Sequence, residues 1–123
     1  MLEFEQLKLR LESNQNELAD LKEALGYNRI CAEIEELEAK ASAPDFWDDM
    51  ENSQKILQRT GKLKNTVARY DGLCQSYDDL NVLIELGNEE GDLSLIEEIE
   101  SGIADFENSQ VAIKFVLRGV SNE

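Results

Sequence analysis

The sequence predicts an all-α protein, an antiparallel helical bundle or coiled-coil-like hairpin of three to four helices. Three observations lead there. Apolar residues recur at alternating 3,4 spacing along most of the chain, the signature of helices with one buried stripe. The 123 residues include one proline, with 7% aromatic and 32% charged residues, a balance suited to long helices rather than a sandwich or an α/β sheet. Strong turn signals are confined to Gly26, Pro44 and the stretch from Gly87 to Asp92.

The first helix is expected over 1–25, with Phe4, Leu7, Leu11, Asn14, Leu18, Leu21 and Leu25 on one narrow seam. Asn14 is the sole polar residue there, a device that can fix register. Such a seam also makes the chain a candidate for self-association. Gly26 suits the residue after a helix end and Asn28 suits an N-cap, so a second helix is expected over 28–43. Its inward positions are Ile30, Ile34, Leu37 and Ala41.

Residues 44–49 form a corner. Pro44 has no amide hydrogen to donate and pushes Ala43 out of helical geometry. Asp45, Phe46 and Trp47 follow; the ring pair is expected to seal the end of the bundle as core, the alternative being an exposed anchor for a partner. Asp48 or Asp49 can then cap the next helix.

A long helix is expected over 50–86, with a seam of Ile56, Thr60, Leu63, Val67, Tyr70, Cys74, Tyr77, Asn81 and Ile84. Gly61 and Gly72 each weaken it by about 1 kcal/mol relative to alanine without ending it. Gly87 to Asp92 reads as a turn, and Asp92 or Ser94 caps a last helix over 92–118. Its seam is Ile96, Ile99, Ile103, Phe106, Gln110, Ile113 and Leu117. A turn this short folds the two helices into an antiparallel hairpin. Residues 119–123 read as the start of a following domain or a tail.

Composition narrows the function. No histidine is present, which removes the commonest general base and zinc ligand, and Cys31 and Cys74 form no Cys-x-x-Cys pair. The acidic residues lack the spaced ligands of a calcium loop. No catalytic residue, metal site or cofactor is therefore expected, and the chain is not read as an enzyme. With no apolar run of ~18 residues and no secretory signal at its start, a cytoplasmic location is expected.

The net charge of −15 argues against nucleic-acid binding by the domain as a whole. Charge is unevenly placed, however. Twelve acids and no base lie between Asp71 and Ile113, whereas Lys55, Arg59, Lys62, Lys64 and Arg69 share a window without an acid. Lys55, Arg59, Lys62 and Arg69 are spaced 4, 3 and 7 and so share one helix face. That stripe either docks RNA or protein, or faces acids of a neighbouring helix. Glu97, Glu98, Glu100, Asp105 and Glu107 form an acidic face that is either solvated or turned to a basic partner.

The order of several segments adds a resemblance. Leu25-Gly26-Tyr27 leads into Ala32-Glu33-Ile34-Glu35-Glu36-Leu37-Glu38. Ala43-Pro44-Asp45-Phe46-Trp47-Asp48-Asp49 and Ser53-Gln54-Lys55-Ile56-Leu57 follow, then Leu83-Ile84-Glu85-Leu86 and a Gly-Asp turn before a Glu-rich helix. From about Leu25 to Leu117 this resembles the amino-terminal domain of bacterial class-1 peptide chain release factors, in the release factor 2 branch that reads UAA and UGA. The family's Gly-Gly-Gln hydrolysis motif and Ser-Pro-Phe decoding motif do not occur here. The resemblance implies a ribosome-associated helical module without the core domains. Its implied partners are the ribosomal stalk-base and GTPase-associated region, the class-2 GTPase release factor and some ribosomal RNA. A generic acidic coiled-coil adaptor would explain the seams but not the Pro-Asp-Phe-Trp corner. A small helical enzyme of the chorismate-mutase kind would need convergent bases that the carboxy-terminal half lacks.

Overall fold

The computed structural model describes the backbone of residues 1–121 and the side chains of residues 1–117. It is all-α, with α1 (Leu2–Glu12), α2 (Gln15–Leu25), α3 (Tyr27–Ala41), α4 (Met50–Glu90) and α5 (Ile96–Ser121), and no strand among the described residues. The expected start of a following domain, 119–123, ends outside the described residues at 122–123, and α5 runs through Ser121. Among the described residues no helix is long and apolar enough to cross a membrane.

α4 is the axis. Its 41 residues span about 60 Å at ~1.5 Å per residue. α3 lies antiparallel along its first half, bringing Tyr27 beside Tyr70 with ring centroids 5.3 Å apart. α5 lies antiparallel along its second half, where Tyr77 meets Phe106 at 5.9 Å. α1 covers the same half from another side and runs parallel to α5. The bonds Arg10–Glu107 and Lys114–Glu17 both join residues 97 apart, so α1 and α2 together keep one register against α5.

The first helix breaks where the seam predicts continuity, at Ser13–Asn14. The cause is local competition for one carbonyl. Ser13 Oγ donates to the Arg10 carbonyl at 2.6 Å and Asn14 Nδ2 donates to it at 3.1 Å. The Asn14 amide turns instead to Leu11, three residues back, and the helix tightens and bends. The Asn14 side chain also donates to Glu107 at 3.2 Å, tying the bend to α5. Phe4, Leu7, Leu11 and Leu21 are buried inside the chain, so the seam offered for self-association is spent on intramolecular packing.

Gly26 alone joins α2 to α3. Its left-handed backbone, φ 69°, ends one helix and opens the next, so Asn28 sits inside the first turn of α3 and is not the N-cap. α3 stops at Ala41, two residues before the expected 43, with Ser42 as its C-cap.

α4 also outruns its expected end at 86, reaching Glu90 before Gly91 turns left-handed at φ 63°. Gly87 is thus helical. It is present because the buried Phe4 ring of α1 occupies the space a Cβ would need. The turn reduces to Gly91 and Asp92, and Asp92 caps the next turn by accepting from the Ser94 amide at 3.1 Å. The seam of α4 differs from the expected one as well. Leu73, Leu80 and Gly87 are buried in the second half, while Cys74 and Asn81 are only half-buried. Two partners flank that half, and a straight 3.6-residue helix drifts against any fixed seven-residue stripe. The seam of α5 packs as spaced, with Ile99, Ile103, Phe106, Gln110 and Ile113 buried.

Two outcomes follow from this packing. Gly87→Ala is expected to destabilise by about 1–3 kcal/mol in urea unfolding through overpacking against Phe4. Gly61→Ala, whose added Cβ meets nothing within 4 Å, is expected to stabilise by about 0.5–1 kcal/mol. A third outcome concerns pH. The Arg10 guanidinium, helped by Asn14, holds the Glu107 carboxyl below its ordinary 4.5. A lowered folded pKa adds stability that is present above 4.5 and is lost as pH falls through the lowered value. Thermal melts over descending pH should show the wild type losing more stability than Glu107→Gln.

Candidate interaction surface

The basic window falls on the first half of α4, opposite the acidic α3. Arg59 Nε lies 2.8 Å from Glu33 Oε2, and its Nη2 reaches the other carboxylate oxygen at 3.4 Å. Lys64 meets Glu38 at 3.0 Å. Residues five apart on a helix point about 140° apart, so these two pairs flank the α3–α4 seam from opposite sides. Lys55 pairs with Glu51 within its own helix at 3.6 Å. Exposed pairs of this kind contribute roughly 0.2–1 kcal/mol each.

The four residues of the expected stripe therefore part company. Lys55 and Arg59 have acidic partners within the chain. Lys62 and Arg69 are exposed and form no ion pair among the described residues. They face a groove of about 450 Å³ between α3, α4 and the end of α5. Its apolar lining includes Leu25, Ile30, Leu63, Ile113 and Leu117. Arg29, from the first turn of α3, joins the rim and also lacks an ion pair among the described residues. The one acid on the rim, Glu33, is engaged by Arg59. Three cations without an ion pair among the described residues thus surround an apolar floor in a chain of net charge −15.

Arg29 escaped the sequence reading because it lies 33 residues before Lys62. Only the Gly26 bend and the α3–α4 pairing bring them together. That pairing is pinned at its far end by tyrosines. Tyr27 donates to Asp71 at 2.8 Å, which pushes its phenol up to about 12, and Tyr70 donates to the Leu18 carbonyl at 3.3 Å.

At the corner, Pro44 follows the C-cap of α3 by two residues, and the Asp45 carbonyl accepts from the Asp48 amide at 3.0 Å. Phe46 is 8% exposed but Trp47 is 55% exposed, with its ring edge-on to Phe46 at 5.0 Å. The expectation that both rings are core is corrected: these residues occupy a 3₁₀ turn, where neighbours point about 120° apart and cannot share one face. Ser53, fully buried and read in the sequence only as part of the resemblance, donates to the Phe46 carbonyl and holds the corner onto α4. Asp49 is the cap, accepting from the Asn52 amide at 3.1 Å. On α5, Glu97, Glu98, Glu100 and Asp105 are exposed, whereas Glu107 is committed to Arg10 and Asn14.

The fold and this surface define a helical module whose polar features are ion pairs, caps and one cationic groove. Residues 30–120 match the family model of the PCRF domain, and the chain belongs to that family. It is also similar to curated proteins called peptide chain release factor 2. That of Staphylococcus haemolyticus is 28% identical over 120 residues, covering 96% of this chain and 32% of that protein. That of Staphylococcus epidermidis is 31% identical over 120 residues, with the same coverage of 96% and 32%. That of Pseudarthrobacter chlorophenolicus is 39% identical over 82 residues, covering 67% of this chain and 21% of that protein. The chain thus spans about a third or less of the length of these relatives.

The split at the corner sets one expected outcome. Phe46→Ala should lower the unfolding free energy by about 3 kcal/mol, and Trp47→Ala by less than about 1 kcal/mol, in parallel denaturant titrations.

Proposed function

We propose that this chain serves translation termination as the ribosome-associated, amino-terminal helical domain of a release factor acting at UAA and UGA. The single observation that carries the reading is the PCRF match over residues 30–120, reinforced by relatives named peptide chain release factor 2 that align with 96% of the chain. On this reading the chain is not itself an enzyme, because the Gly-Gly-Gln and Ser-Pro-Phe motifs of hydrolysis and decoding do not occur in it. It works in the cytoplasm, where it helps to place the factor against the stalk-base and GTPase-associated region of the ribosome and to deal with the class-2 GTPase factor. Net charge of −15 favours basic protein surfaces by steering and discourages indiscriminate adhesion to RNA. The cationic groove would be the exception, a local docking point bearing Lys62 and Arg69.

Co-sedimentation tests this. The chain should pellet with bacterial ribosomes carrying a stop codon in the A site more than with ribosomes carrying a sense codon. Lys62→Glu combined with Arg69→Glu should weaken pelleting by about tenfold without changing the circular-dichroism melt. Equal recovery with and without ribosomes would leave the generic adaptor as the better reading.

A further inference from the structure

We infer that the groove between α3, α4 and α5 receives an acidic amphipathic helix from a partner protein. The inference rests on reading this surface as a docking site, and it adds the chemistry of the occupant. Two properties of the groove select that chemistry together. Its floor is apolar, with Ile30 and Leu117 half-buried and Val116 48% exposed, and such a surface is left in water unless side chains of the same kind cover it. Its rim carries Arg29, Lys62 and Arg69 without ion-pair partners among the described residues, although the chain holds 27 acids against 12 bases. Where acids are in such excess, three bases left without one are available to acids from outside.

An RNA strand would satisfy the cations but not the floor. No aromatic side chain lines the groove to stack a base, and stacking is what makes apolar surface useful to single strands. The surrounding acids also repel phosphate along any longer path. A helix with leucine-type residues at i, i+3, i+4 and i+7 and carboxylates flanking them satisfies both demands at once. Arg59 is not part of the offer, because Glu33 already engages its Nε and Nη2.

The test uses fluorescence anisotropy with the whole chain and a labelled synthetic peptide of roughly 15 residues, leucine at those positions and glutamate elsewhere. Saturable binding that weakens as salt rises is expected. Replacing the leucines by serine, or the glutamates by lysine, should weaken it about tenfold or more. Lys62→Glu with Arg69→Glu should do the same, as should Val116→Ser on the exposed floor, each with an unchanged thermal melt. The inference is overturned if the serine peptide binds as well as the leucine one, if the double charge reversal has no effect, or if an oligouridine of similar length binds more tightly than the peptide. Ribosome pelleting stands apart from this result. A variant that loses the peptide yet still pellets leaves the ribosomal reading intact and removes the groove from it. A chain that captures the peptide but ignores ribosomes does the reverse.

Discussion

A helix of 41 residues cannot bury its own apolar side chains, and the rest of this chain is arranged to cover those of α4. One helix face needs one partner, and α4 presents different faces along its length. Thr60, Leu63 and Tyr70 face α3 and the α2–α3 junction, while Leu73, Tyr77, Leu80 and Ile84 sit between α1 and α5. Everything else follows from that division. α3 must turn back at the Pro44 corner, α5 must turn back at Gly91, and the first helix must bend to serve both halves. The hydrophobic stripe of α4 is therefore the constraint, and the turns are its consequences.

Polar side chains hold the register that apolar packing alone leaves loose. Leucine and isoleucine stripes tolerate sliding, because one methyl-lined notch resembles the next. The Asn14, Arg10 and Glu107 set does not tolerate it, since each bond has one partner at one depth. Lys114 and Glu17 repeat the same separation one helix segment further on. Exposed pairs of this kind add little stability. Their larger effect is to make one alignment of α1 and α2 on α5 better than its neighbours.

Much of this was legible in the sequence, for identifiable reasons. The α5 seam of Ile99, Ile103, Phe106, Gln110 and Ile113 is read from spacing alone because α5 turns one face inward to α1, α2 and α4 along its length. Gly26 and Pro44 end helices through their own backbone chemistry, which needs no tertiary context. What stayed hidden depended on distant parts of the chain. Gly87 looks like a turn residue until Phe4 is placed over it. The break at Ser13–Asn14 comes from two side chains competing for one carbonyl, which periodicity does not register. The candidate surface was half visible. Lys62 and Arg69 share a face by spacing, but only the fold adds Arg29 and subtracts Arg59.

The continuity of α4 has a mechanical side. An uninterrupted ladder of backbone bonds makes it a stiff rod joining the exposed Trp47 corner to the α4–α5 turn. Over about 60 Å, a tilt of roughly 5° at one end displaces the other by about 5 Å, the order of one helical turn. The cationic groove lies along residues 59–69, about a third of the way up that rod, so a tilt about the corner displaces it by only about a third as much as the α4–α5 turn.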